Sequence, residues 1–264
     1  MRTSMRTACG IAVGVVTHGL FFFTVYHLFR FLHADTVVAP PGALWIDLLL
    51  AAQFAVCHSA LLHPAARRRL GRWIPRAFYG CFFCVATCIT LLATFAGWRS
   101  AEPAIWRLTG WANVAVEAAF FASWAGLFYS LYLSGLGYQT GFTPWWHWLR
   151  GRELPNREFR PRSVYRLLRH PVYLSFMGLI WFNPVMTLDR LLLAVVWSGY
   201  IFAGSYLKDE RLAFFLGTTY RDYQEQVPGY PFMPLGPLAR HKRRAEPHIV
   251  AIPQPAPLPA RKAA

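Results

Sequence analysis

Charged residues are scarce in this chain, and acidic residues are the scarcest of them. Only 15% of the 264 residues are charged, with 12 Asp and Glu against 27 Lys and Arg, whereas 55% are hydrophobic. So few charges cannot cover the surface of a soluble globule of this size, and the apolar residues stand in long runs. The composition therefore excludes a soluble domain and predicts an all-α integral membrane protein.

The features of a nucleic-acid-binding surface are also missing, although the formal net charge is +15. The arginines cluster between apolar runs and lack the interleaved aromatic residues of a strand-binding face. Basic clusters beside apolar runs instead mark membrane topology and attract anionic headgroups. We therefore expect membrane lipid, and no nucleic acid, among the partners of this protein.

Cysteine and histidine are too isolated in the sequence to predict a metal centre. Of five cysteines, Cys81, Cys84 and Cys88 fall on one face of a single predicted helix, with no matching Cys or His pair elsewhere,. We interpret them as small apolar filler. A membrane haem site requires paired histidines on two helices, and that pattern is missing as well.

Six apolar segments predict about six transmembrane helices. They run over residues 10–32, 44–62, 77–98, 111–135, 171–187 and 191–207. The first four are long enough to cross a hydrocarbon core of about 30 Å. The last two are short, and Pro184 interrupts the fifth. We expect these two to form a C-terminal helical hairpin that stops short of the far side.

The distribution of Lys and Arg predicts the orientation of the helices. Basic residues concentrate before the first segment, between the second and third, between the fourth and fifth, and after the sixth; the other loops hold only Arg99, Arg107 and Arg190. The positive-inside rule then places both termini in the cytoplasm. A cleaved signal peptide is the alternative for the N-terminus, but the apolar run is too long and lacks a small-residue cleavage site.

Two ionisable residues lie inside predicted helices, where a buried charge is costly. His58 is in the second segment, and we expect it to make an interhelical hydrogen bond. Glu117 is in the fourth, and it is either a substrate-side group or the partner of His58.

A polar constellation brackets the predicted hairpin. Arg169 and His170 precede Pro171, which suits the first turn of a helix,. Free backbone N–H groups and two potential cations at such a helix start form an anion pocket. The sixth segment returns to the same membrane surface at Asp209 and Glu210, so cationic and anionic ends meet there. The alternative for each residue taken alone is that Arg169 extends to lipid headgroups and the acids pair with nearby arginines.

These residues together resemble the isoprenylcysteine carboxyl methyltransferase-like family of membrane methyltransferases. The matching motifs are Ser163-x-Tyr165, Arg169-His170-Pro171-x-Tyr173-x-Ser175, Asp209-Glu210, Gly217-x-x-Tyr220-x-x-Tyr223 and Val227-Pro228. Both flanking glycines of the family pattern are serines here, and counting back from Gly217 aligns the family's two acids with Lys208 and Asp209. His58-Ser59 with His63-Pro64, and the run 181–187, further resemble the methanethiol S-methyltransferase branch of bacterial proteins.

The resemblance implies an enzyme that transfers a methyl group from S-adenosyl-L-methionine at a cytoplasmic cofactor site. It implies cofactor binding by Tyr165, Arg169, His170, Pro171, Tyr173, Asp209, Glu210, Tyr220 and Tyr223, with His170 and Tyr173 as catalytic candidates. The implied acceptor is a small thiol such as methanethiol. The alternatives are a carboxyl or lipid methyltransferase with a lipophilic substrate, and a non-catalytic assembly or transport factor.

The chain divides into one large unit and a tail. We predict a polytopic membrane domain over residues 1–235, in which residues 171–234 carry the cofactor hairpin and the C-terminal motif. Periodicity is lost after Pro231, and residues 236–264 are predicted to be a disordered, basic and proline-rich tail,. The resemblance to bacterial proteins implies location in a bacterial inner membrane.

Overall fold

The structure is a computed structural model that describes residues 2–33, 43–99, 104–156 and 158–240, and most of that chain is helical. Two short strands and two 3-10 turns, at Arg76–Phe78 and Ser163–Arg166, complete the secondary structure of the described ranges. The helices and strands are α1 (Arg2–His33), α2 (Ala43–Leu62), α3 (Pro64–Leu70), α4 (Tyr79–Gly97), β1 (Ala104–Arg107), α5 (Gly110–Ser134), α6 (Leu136–Gln139), α7 (Phe142–Leu149), α8 (Pro171–Trp181), β2 (Val185–Thr187), α9 (Leu188–Leu216) and α10 (Thr218–Gln226).

Five of these helices, α1, α2, α4, α5 and α9, are long and apolar enough to cross a membrane. This confirms the predicted all-α integral membrane fold. The fifth predicted segment yields only the 11 residues of α8, which at 1.5 Å per residue fall short of a hydrocarbon core of about 30 Å. The prediction that the sixth segment is equally short was wrong. Helix α9 has 29 residues, because Asp209, in its polar continuation past residue 207, is held by Arg169 and Tyr220.

The six main helices pack in a ring. Neighbours around it are α1, α4, α2, α9, α8 and α5, and α5 closes the ring on α1 through Phe29, whose ring contacts Phe120 and Trp124. The buried apolar core inside includes Leu179 on α8 and Trp197 on α9. Between α1 and α4, the buried side chains include Cys81, Cys84 and Cys88.

The hairpin of α8 and α9 turns through a short strand. Pro171 occupies the first turn of α8, as predicted, and the helix ends at Trp181, just before Asn183-Pro184. The residue before a proline disfavours helical backbone, so the chain leaves the helix there. Strand β2 then pairs antiparallel with β1, and α9 begins. Since α9 runs back along α8, the start of α8 and Asp209 meet at one end of the ring, here called the basic end because Arg67, Arg68, Arg69 and Arg166 also lie there.

The two ionisable residues inside helices have different surroundings. His58 Nδ1 lies 2.5 Å from the Tyr200 hydroxyl on α9, which confirms the predicted interhelical hydrogen bond. Glu117 lies on α5, which packs against α8 rather than α2. The suggested pairing of Glu117 with His58 was therefore wrong.

The predicted disordered tail lies mostly outside the described residues. Its first residues, 236–240, are described, and among them Leu238 and Ala239 are 5% and 4% exposed. Ordered packing thus continues beyond the predicted boundary at residue 235.

Candidate cofactor site at the basic end

The centre of the site is the side chain of Arg169, which is only 2% exposed. Its Nε donates to Asp209 Oδ2 at 3.0 Å. Its Nη1 donates to three backbone carbonyls, those of Gln224 at 3.2 Å, Val227 at 2.5 Å and Ala239 at 3.2 Å. One guanidinium group therefore joins α9 to the end of α10 and to the C-terminal segment 227–239, which we call the strap.

Asp209 provides the negative charge of this cluster and is 1% exposed. Besides Arg169, its carboxylate accepts a hydrogen bond at Oδ1 from the Tyr220 hydroxyl. Gly217 makes that contact possible, because its φ of 59° ends α9 and directs α10 back across the site,. Glu210, the other predicted acid, is exposed on α9. The structure brings only Asp209 of this pair into the cluster.

The His170 side chain is almost completely buried among the described residues. Its ring stacks on Tyr173 with centroids 5.5 Å apart and lies 5.7 Å from the ring of Tyr230 in the strap. Its Nε2 is 3.1 Å from Asp209 Oδ1, but the pair is poorly aligned for a hydrogen bond. Burial lowers the pKa of His170 below its usual value, and the nearby Asp209 carboxylate only partly opposes this effect. The imidazole is therefore neutral at pH 7.

The neutral state of His170 predicts a loss of stability in acid. Below the ordinary histidine pKa of 6.5, the unfolded chain binds a proton that the folded protein resists, so stability present at pH 7 falls as pH decreases. Between pH 7 and pH 5 we expect a loss of up to about 2 kcal/mol from this residue.

Unfolding of the cofactor-free protein in detergent at the two pH values measures this loss. The His170→Gln variant should lack this part of the pH dependence, while the exposed His63→Gln variant should keep it. An unchanged slope in His170→Gln would contradict the assignment.

Three buried polar atoms of the cluster lack a hydrogen-bond partner, and since His170 Nε2 faces Asp209 Oδ1, two are left for a ligand. Arg169 Nη2 and His170 Nδ1 are buried and have no hydrogen-bond partner among the described residues. Buried polar atoms in native proteins are nearly always paired, so such atoms indicate a missing partner. A donor on a guanidinium group fits an anionic or polar ligand, and the neutral imidazole nitrogen fits either a donor or an acceptor.

Tyrosines line the same region. The hydroxyl of Tyr165 donates to the Ser130 carbonyl at 3.2 Å, and the hydroxyl of Tyr223 donates to the Tyr165 carbonyl. Burial raises the pKa of both Tyr220 and Tyr223 far above its usual value, so both phenols remain protonated donors. Lys208 Nζ lies 5.1 Å from the ring centroid of Tyr173, which also stacks on His170.

Comparison with known proteins places the sequence in a family. The sequence is 30% identical to Methanethiol S-methyltransferase 1 of Bradyrhizobium diazoefficiens over 233 residues, which cover 81% of this chain and 79% of that relative. The chain belongs to the methanethiol S-methyltransferase family. It is 29% identical to the Methanethiol S-methyltransferase of Mycobacterium tuberculosis over 226 residues, 83% of this chain and 88% of that protein.

More distant similarity extends beyond bacteria. The chain is 24% identical to Nurim of Danio rerio over 185 residues, which cover 65% of this chain and 66% of that protein. No family model and no solved structure matches the chain. The relatives confirm the predicted resemblance.

The structure accommodates both serines that replace glycines of the family motif. Ser163 has a φ of 48°, a left-handed conformation that favours glycine,, and its hydroxyl lies 2.7 Å from that of Tyr129. Ser175 donates to the Pro171 carbonyl at 3.0 Å. It faces Gly126 on α5, where an added Cβ would lie 3.0 Å from the serine hydroxyl. A glycine on the opposing helix therefore makes room for this serine.

Sequence reasoning included Val227-Pro228 in the family motif but assigned no site residue to the strap, which contributes directly to the site. The backbone amides of Arg169 and His170 donate to the carbonyls of Pro228 and Gly229 at 2.9 and 3.2 Å. A Cβ at Gly229 would lie 2.8 Å from the Leu238 oxygen and 3.3 Å from His170 Cδ2, so only glycine fits there. The Tyr230 hydroxyl lies 2.5 Å from Ser205 Oγ. The run Val227-Pro228-Gly229-Tyr230 was the available signal.

Proposed function

We propose that this protein transfers a methyl group from S-adenosyl-L-methionine to a small thiol, methanethiol, within the membrane, forming dimethyl sulfide. The observation that carries the proposal is the buried cluster of Arg169, His170 and Asp209, with two polar atoms free for a ligand. It occurs in a chain 30% identical to a protein named Methanethiol S-methyltransferase 1.

The residues of the cluster suit the chemical groups of this cofactor. Arg169 Nη2 is a charged donor for its carboxylate, and His170 Nδ1 lies beside it in the sequence and in the cluster,. Asp209 offers a negative charge at the same place. We assign Tyr165, Pro171, Tyr220 and Tyr223 to the wall of the cofactor pocket, and leave Glu210 outside it because it is exposed.

S-adenosyl-L-methionine, when bound, supplies an electrophilic methyl group on a sulfonium sulfur, and that sulfur retains the bonding electron pair when the methyl group leaves. The chain contributes positioning and exclusion of water, which are the main sources of rate for such a displacement. The strap excludes water by covering His170. Tyr173 presents an aromatic face, the kind of surface that stabilises a cationic sulfur. We assign His170 to binding, since its ring is enclosed.

The charge distribution supports an orientation for the site. Basic loops lie at the end where the cluster forms, so the positive-inside rule directs that end to the cytoplasm. We propose that the protein resides in a bacterial inner membrane with both termini and the cofactor pocket on the cytoplasmic side.

A transfer assay tests the proposed function. Purified protein in detergent is incubated with S-adenosyl-L-methionine that carries a labelled methyl group, together with methanethiol or, separately, a prenylcysteine analogue. The expected product is labelled dimethyl sulfide.

Two other outcomes would each exclude the proposal. Label in a base-labile ester assigns the protein to carboxyl methyl transfer. Absence of product together with absence of cofactor binding in a calorimetric titration assigns it a non-catalytic role.

A further inference from the structure

A thiol acceptor must lose its proton, and the cofactor cluster offers no accessible base. The thiolate is the nucleophile in such reactions, whereas the thiol is not. His170 is 1% exposed and its unpaired Nδ1 is assigned to the cofactor, and Asp209 is already engaged by Arg169 and Tyr220. A proton acceptor other than these two residues is therefore required, and the membrane helices that the structure describes contain a candidate.

His58 on α2 has the geometry of such a base. Its Nδ1 lies 2.5 Å from the Tyr200 hydroxyl, while its Nε2 has no hydrogen-bond partner among the described residues. If Nδ1 carries the proton and donates to Tyr200, then Nε2 is the basic nitrogen. The residue is half-buried, unlike the enclosed His170. A small apolar thiol that dissolves in lipid can therefore reach it.

The contacts of His58 connect it to the cofactor site. On α9, Tyr200 contacts His58, and Lys208 lies two turns nearer the basic end. On α4, the ring of Phe83 contacts His58, and Tyr79 lies one turn before Phe83. The ammonium group of Lys208 lies over the ring of Tyr173, and that ring stacks on His170. Along α9, Tyr200 and Lys208 thus lie between His58 and Asp209 of the cluster, within an apolar helix bundle. Ionisable residues in such surroundings usually have a function.

We propose that His58 Nε2 accepts the proton of the acceptor thiol and that Tyr200 is a positioning residue which holds the imidazole in the required tautomer. In this step the S–H bond breaks, its electron pair stays on sulfur, and an N–H bond forms on the imidazole. The resulting imidazolium releases its proton to water after the product leaves. This inference rests on the proposed function.

The test compares two thiols of different acidity in the full-length protein. With methanethiol at pH 7, we expect His58→Gln to lower kcat/KM by about 100-fold or more. With thiophenol, which is largely ionised at neutral pH, the loss should be less than about tenfold, because no proton needs to be removed. Raising the pH should partly restore methanethiol methylation, since the thiolate fraction grows. Calorimetric affinity for S-adenosyl-L-methionine should be unchanged.

Two further variants guard against a purely structural effect. Tyr200→Phe removes only the hydroxyl and should show a smaller loss with the same preference for thiophenol. His27→Gln makes the same chemical change at a half-buried histidine on α1 and should behave like the unmodified protein.

The inference is overturned if His58→Gln loses equal activity with both thiols, loses none, or binds the cofactor more weakly. A failure of the proposed function looks different: the unmodified protein would then transfer no methyl group to either thiol.

Discussion

The Asp209→Asn variant is expected to unfold with a free energy about 3–5 kcal/mol below that of the unmodified protein. Asp209 is 1% exposed and faces Arg169, His170 and Tyr220. Asparagine preserves the shape but leaves the guanidinium group buried without a counter-charge, which is among the costliest changes in a protein interior. Chemical unfolding in detergent measures the difference.

The neighbouring acid supplies a matched control. Glu210 is exposed on the same helix, so Glu210→Gln should change the free energy of unfolding by no more than about 0.5 kcal/mol. Equal effects of the two substitutions would show that the buried cluster does not form as described.

Replacing Arg169 with Gln should release the strap from the rest of the protein. A single guanidinium group donates to the carbonyls of Gln224, Val227 and Ala239 and to Asp209. Glutamine is shorter and has a single amide, so most of these bonds are lost and the buried carbonyls lose their partner. We expect a broad-specificity protease to cut the variant within residues 227–239 at least about tenfold faster, since cleavage follows the population of the open form.

Two comparisons sharpen this experiment. Arg169→Lys keeps the charge but lacks the planar fork of donors, so it should behave more like Arg169→Gln than like the unmodified protein. Arg166→Gln alters an exposed arginine three residues away and should leave the cleavage rate unchanged. Protection of the strap in Arg169→Gln would mean that this residue does not hold it.

The membrane helices were largely predictable, because apolar runs of sufficient length permit little else. The second segment was predicted over 44–62, and the helix is Ala43–Leu62. The hairpin was less predictable. The apolar run ends at Lys208, yet α9 continues to Leu216. The extension is stabilised by contacts of Asp209 with residues distant in the sequence, which hydropathy does not report. Similarly, nothing local predicts the pairing of Ala104–Arg107 with Val185–Thr187.

The site, like the fold, was predictable from the sequence only in part. Local chemistry predicted that Arg169, His170 and Asp209 meet, because Pro171 starts a helix and the next helix returns to the same end. The sequence suggested that Arg169 mainly binds a ligand. In the structure, its Nε and Nη1 instead donate to Asp209 and to the strap. Which of its atoms remain available to a ligand depends on these tertiary contacts. The exposure of Glu210 likewise follows from the rotation of α9, which a two-residue acidic motif does not define.

The most direct test of the cofactor site is amide hydrogen exchange of the intact protein, measured by mass spectrometry with and without S-adenosyl-L-methionine. We predict slower exchange in residues 165–173 and in the strap, 227–239, because the ligand would bridge Arg169 and His170 beneath it. Binding that leaves both segments unchanged, or that protects only the opposite end of the ring around β1 and β2, would contradict the assignment of the site.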